Sequence, residues 1–234
     1  MENVMPLKLK GIFFDAVGTL IRPARPIGHT YARVAHHYGV YLEPKQVEKA
    51  FQEVFARMQW RPSASVPQDG EDRTWWREVV FGVLENFSVG PAFPFESYFA
   101  ELYELFARPD QWRVFPEVPE VLSLLREIYP LWVLSNWDDR LAPVLEGLGL
   151  LRVFSHVWVS SRLGAAKPDP EFYRRALKKV HCEPHEVMLV GDDPHGDVEV
   201  PKGLGWQTFW IRRPERDLWD LVDFLRTACQ EQGI

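Results

Sequence analysis

The segment Phe13-Phe14-Asp15-Ala16-Val17-Gly18-Thr19 places a carboxylate at the end of an apolar run, followed by a glycine and a hydroxyl. In an open parallel sheet the ligand crevice lies beyond the carboxyl ends of the strands, so Asp15 is placed to act as a nucleophile or a metal ligand. Taken alone, an aspartate there serves equally well as a turn or helix cap. Three further strand ends repeat the pattern. One closes on Ser135-Asn136, whose hydroxyl and amide dipoles suit an oxyanion. Another closes on Gly191-Asp192-Asp193-Pro194-His195-Gly196-Asp197, an oxygen-rich turn that suits Mg²⁺. Between them, Lys167-Pro168-Asp169-Pro170 leaves an ammonium group at the same sheet edge. It can balance Asp15 and a substrate anion, although a lone lysine is otherwise a surface charge.

The elements that must position these groups are five short, nearly continuous apolar runs at residues 9–14, 131–134, 156–159, 187–190 and 207–211. Such runs suit strands buried on both faces. Helix-length segments at 140–147, 170–180 and 198–203 separate the last four, which implies a parallel sheet with right-handed crossovers. Residues 21–112 differ: 30–38, 44–60, 73–87 and 95–107 carry apolar residues at three- and four-residue spacing, with no comparable strand. This predicts a helical insertion after the first strand, with a flexible tip at 62–70. In the last helix, 217–229, Trp219 and Phe224 are expected in the core. Pro201 is expected to shorten its helix.

The chain has 234 residues, with 27 lysines and arginines against 33 acids and a net charge of -6. That balance argues against a broad nucleic-acid or anionic-membrane surface. Two cysteines, Cys182 and Cys229, lack metal-ligand spacing and read as thiols of a reducing compartment. With no signal peptide or apolar span evident, the expectation is a cytoplasmic protein, monomer or homodimer.

The four polar segments resemble the motifs of the haloacid dehalogenase superfamily: DxxGT, Ser with Asn, Lys-Pro and GDxxxxD, in order over nearly the whole chain. The stretches RPIGHTYARVAHHYGV, RTWWREVV and LSNWDDRL resemble its rhythmically-expressed-gene-2-like subgroup. The resemblance implies a doubly wound, Rossmann-like α/β core at 1–20 and 113–234, with a type 1 helical cap at 21–112. It implies that Asp15 attacks phosphorus of a small phosphorylated metabolite and that Thr19 positions it. Mg²⁺ would be held by Asp15, the Val17 carbonyl and Asp192. Asp193 and Asp197 would assist through water or by orienting Lys167. Ser135, the Asn136 backbone and Lys167 would hold the phosphoryl oxygens. Arg22, and less so Arg25, flank the hinge and are candidates to reach a substrate anion.

Val17 departs from the family's phosphatases, which place a second aspartate there as general acid and base. Four readings follow. The first is a phosphatase with another acid, or with a leaving group that needs none. The second is a weakly active or noncatalytic binder of Mg²⁺ and a phosphorylated ligand. The third is a 2-haloacid dehalogenase, whose halide leaves without a proton. The fourth is a carbon–phosphorus hydrolase using a cap lysine, for which only Lys45 and Lys49 are present. Asp138, Asp139 and His195 are the candidate replacement acids, each with an ordinary structural alternative; for Asp138 that alternative is a helix cap.

Overall fold

The computed structural model describes residues 9–58 and 71–230. The tip expected at 62–70 lies outside them, as do the chain start and the side chain of Cys229. Five strands form one parallel sheet: β1 (Gly11–Phe14), β4 (Leu131–Ser135), β5 (His156–Val159), β6 (Val187–Gly191) and β7 (Gln207–Trp210). Their order is β5-β4-β1-β6-β7. Phe13 lies opposite Trp132 on one side and Leu189 on the other. Every residue of β1, β4 and β6 is buried, as the continuous apolar runs require.

Side chains alternate between two apolar layers. Ile12, Phe14, Val133 and Val190 pack beneath α5 (Val118–Arg126), α6 (Leu141–Gly147) and α10 (Leu218–Gln230). Phe13, Leu134 and Leu189 face α8 (Pro170–Val180), against Phe172 and Tyr173. Helices on both faces make the sheet doubly wound, and the chain leaves β1 in both directions, so the crevice opens at that strand's carboxyl end. The helix α5 is an element absent from the alternation read in the sequence. No helix among the described residues is long and apolar enough to cross a membrane.

Between the first and second strands of the sheet stand α1 (Ile27–His37), α2 (Pro44–Arg57), α3 (Glu71–Leu84) and α4 (Phe95–Leu105). They pack around a separate apolar cluster that includes Tyr31, Val47, Phe51, Val83, Tyr98 and Leu102. The expectation of no strand in this stretch needs correction. β2 (Ile21–Pro23) pairs antiparallel with β3 (Trp112–Val114), tying together the two ends of the helical insert. Three-residue strands are too short for a readable alternation.

Trp219 and Phe224 also depart from expectation. Both are over one-third exposed, because the buried stripe of α10 runs through Leu218, Leu221, Val222 and Leu225 and they lie on either side of it. Pro201 sits in the first turn of the four-residue α9 (Val200–Gly203), which continues a widened π turn, Pro194–Glu199. Proline has no N–H for the ordinary i−4 bond, and the helix is short there as expected.

Candidate active site

Asp15 follows β1, Ser135 ends β4, Lys167 lies in the loop before α8, and Asp192 follows β6. The sheet register therefore brings residues separated by up to 177 positions to one rim. The Lys167 Nζ lies 2.7 Å from Asp15 Oδ1 and 2.6 Å from Asp197 Oδ1. Burial alone would discharge this lysine. The two carboxylates outweigh that cost and hold its ammonium charged beyond the ordinary lysine range. Carboxylate oxygens of Asp15, Asp192 and Asp197 lie within 4.8 Å of one another. Desolvation, reinforced by Asp15 and Asp197, pushes Asp192 upward; desolvation also raises Asp197, against the pull of Lys167.

Two glycines make the approach possible. Gly18 has φ +87°, and a Cβ there would meet an Asp192 carboxylate oxygen at 2.1 Å. A Cβ on Gly191 would meet the Asp197 carboxyl at 2.2 Å. Both positions need glycine for space, and Gly18 needs it for its backbone too.

Several expected roles are redistributed. The Asn136 side chain accepts from the Lys167 N–H at 2.8 Å and donates to the Lys167 carbonyl at 2.9 Å. Its amide therefore fixes the lysine loop, and only its backbone is left for the oxyanion role. Thr19 Oγ1 donates to Asp192 at 3.3 Å, so it steadies that carboxylate and not Asp15. Of the two acids expected to orient Lys167, Asp197 touches it. Asp193 instead accepts from the His195 N–H at 3.0 Å and caps the π turn. Arg22 is exposed, lies 5.9 Å over the Phe115 ring and does not line the cavity; Arg25 is exposed also.

Three groups escaped the sequence reading. The Arg213 guanidinium donates to the Thr19 carbonyl at 2.9 Å and the Gly18 carbonyl at 3.3 Å, pairs with Glu117 at 2.5 Å and lies 3.7 Å over Phe115. It clasps the turn that carries Asp15 and Thr19 to the segment between β3 and α5. Arg140 pairs with buried Asp138, donates to the Tyr103 carbonyl at 2.8 Å and lies 3.6 Å over that ring, bridging sheet and insert. The Tyr173 hydroxyl donates to the Gly196 carbonyl beneath the acidic turn.

The candidate replacement acids all have partners. Asp138 accepts from the Arg140 N–H and binds that guanidinium, so it holds the turn ahead of α6; the helix itself begins after Arg140 and lacks the side-chain cap expected of Asp138. Asp139 pairs with Arg162, and His195 with Glu199 at 2.9 Å. Lys45 and Lys49 are exposed, and neither lines the cavity.

A cavity of about 380 Å³ lies between rim and insert. Asp15, Val17, Ser135, Asn136, Lys167, Asp192, Asp193 and Asp197 line its floor. Val17, 37% exposed, is part of that floor and has no proton to exchange.

Lys167→Met is expected to cost about 3–5 kcal/mol at neutral pH, because it leaves buried carboxylates uncompensated. With the lysine gone, these acids bind protons more tightly folded than unfolded. The deficit should therefore shrink as pH falls toward about 5. Urea denaturation of both proteins at the two pH values checks this; a deficit independent of pH would contradict it.

A model of the haloacid dehalogenase-like hydrolase family matches residues 9–205. The human haloacid dehalogenase-like hydrolase domain-containing protein 3 is 31% identical over 211 residues, covering 89% of this chain and 84% of the relative. Among solved structures, the L-2-haloacid dehalogenase RSc1362 superposes with a TM-score of 0.72 at 20% identity, over 94% of this chain and 99% of that one. A phosphatase of the same superfamily from Thermococcus onnurineus gives 0.64 at 21% identity, over 93% and 98%. At that identity the two likenesses are of fold, and the two proteins are named for different chemistries, a dehalogenase and a phosphatase. With a family match across most of the chain and a relative similar over nearly all of it, this chain belongs to the haloacid dehalogenase-like hydrolases, in the rhythmically-expressed-gene-2-like subgroup.

Proposed function

We propose that this hydrolase cleaves a small phosphorylated metabolite through an aspartyl-phosphate on Asp15. The observation that carries the reading is the cluster itself: a nucleophilic carboxylate held at 2.7 Å by a buried ammonium, with two further carboxylates beside it, on the floor of a cavity. Lys167 and the Ser135 hydroxyl receive the phosphoryl oxygens. Arg213 and Gly18 hold the turn from which Asp15 attacks in line. Residues 21–112 act as the cap that excludes water, over a core of 1–20 and 113–234.

The donor set fits Mg²⁺. Three carboxylates face a single ammonium, and hard oxygen ligands that leave room for waters are what this ion takes. Asp15, Asp192 and the Val17 carbonyl would hold it. When bound, it offsets the repulsion between anionic nucleophile and anionic ester. Hydrolysis of a generic aryl phosphate is expected with Mg²⁺, and its loss with a chelator. Unchanged turnover in chelator would remove the metal from the account.

One observation favours a second reading. Val17 has no proton to give a leaving group, and a halide leaves without one. Against it, the two carboxylates beside the nucleophile, Asp192 and Asp197, repel the carboxylate of a 2-haloacid. Halide released from a 2-haloacid without added metal, and no phosphate from esters, would establish that reading instead.

A further inference from the structure

The cavity wall above the phosphoryl floor is carbon almost throughout. The insert contributes Ile27, Phe51, Phe55, Trp76, Val80 and Phe99, and Trp112 and Trp137 close the base. The Phe55 and Trp76 rings lie stacked, with centroids 6.0 Å apart and planes at 25°, and Trp75 meets Trp76 edge-on at 4.7 Å. Above that floor, the titratable side chains among the described residues lining the cavity are Tyr31, Tyr103 and Arg140. Burial pushes both phenols far above their ordinary range, Tyr103 further through its bond to Asp72. Neither donates a proton readily near neutrality. The Arg140 guanidinium is paired with Asp138 and laid against the Tyr103 ring, so its charge is already balanced.

A sugar or polyol entering this chamber loses water and finds few groups to replace it, which costs free energy for each unpaired hydroxyl. A second anion finds no unpaired cation among the described residues that line the chamber. An aromatic ring loses little and gains ring contacts, worth about 0.5–1.5 kcal/mol each beyond burial. Val17 adds a separate constraint. It occupies the position beside the nucleophile from which a leaving oxygen would be protonated, so the leaving group must be stable as an oxyanion. A phenol satisfies both demands, whereas a small acyl group satisfies one and an aliphatic alcohol neither.

We infer that the substrates are monoesters of phosphate with an uncharged aromatic hydroxyl compound, selected by the ring-lined chamber and by Val17. This rests on the aspartyl-phosphate reading. The Asp15 carboxylate oxygen bonds to phosphorus as the aryl oxygen–phosphorus bond breaks, and that electron pair leaves with the aryl oxide. Water then attacks phosphorus, freeing Asp15 and inorganic phosphate, and the proton lost by water balances the aryl oxide.

Naphthyl, benzyl, acetyl and glycerol phosphates, assayed with Mg²⁺, separate the two demands. The kcat/KM for naphthyl phosphate should exceed that for glycerol phosphate by about 10³-fold or more, with benzyl phosphate between them on ring contacts alone. Its KM should lie below that of acetyl phosphate. Trp76→Ala should reduce the naphthyl-to-glycerol preference at least about tenfold. Phe55→Ala, at a half-exposed position, serves if that variant does not fold. Glycerol phosphate turned over as well as naphthyl phosphate, in an Asp15-dependent way, overturns the inference and leaves the hydrolase standing. If no ester is cleaved, binding to the Asp15→Asn protein decides. A thermal shift with naphthyl but not glycerol phosphate keeps the chamber's preference and sinks the hydrolase. Equal shifts or none sink both.

Discussion

Asp15→Asn should lower turnover of an aryl phosphate with Mg²⁺ by at least about 10³-fold, the scale on which removal of a nucleophile acts. The substitution keeps the shape of the side chain and its place beyond β1 while removing the charge that attacks phosphorus. Lys167 keeps Asp197 at 2.6 Å, so its ammonium stays paired and the fold should hold. Unchanged circular dichroism with lost turnover is the expected pair of results. Activity retained within about tenfold would place the nucleophile elsewhere.

Val17→Asp should act in the opposite direction on one class of ester. Val17 lines the cavity, and the candidate replacement acids are each held by a basic or acidic partner. A carboxyl at this position therefore supplies a proton to the leaving group that none of those three gives. General acid catalysis contributes about 10²- to 10⁴-fold, roughly 3–5 kcal/mol of barrier. The kcat/KM for glycerol phosphate, which reports the step that forms the aspartyl-phosphate, should rise within that range, while that for naphthyl phosphate, whose oxyanion is already stable, should change little. Equal gains in kcat/KM on both, or none on either, would contradict the assignment of Val17 as the missing acid.

The strands and their chemistry were legible in the sequence for one physical reason. Strands buried on both faces read as unbroken apolar runs, so the polar residue ending each run stands out, as Asp15, Ser135 and Asp192 do. Lys167 was legible because the prolines that follow it start the next helix and leave it in the loop. Arg213 was not, since its contacts with Gly18 and Thr19 span nearly the whole chain and no local pattern marks them. Arg140 was hidden likewise, by reaching across to Tyr103. The use of the Asn136 amide on the Lys167 backbone follows from loop geometry, which residue type does not report. Trp219 and Phe224 were misplaced for another reason: bulk and apolarity suggested the core, while their helical phase put them beside the Leu218, Leu221 and Leu225 stripe.

The central claim is that phosphorus becomes bonded to the carboxylate following β1. Acid quench of the protein during turnover of naphthyl phosphate, followed by mass analysis of its peptides, tests this directly. A phosphoryl group on the peptide containing Asp15, rising before steady state and absent from Asp15→Asn, is the predicted result. Phosphate released with that peptide never modified, or modification at another residue, would contradict it.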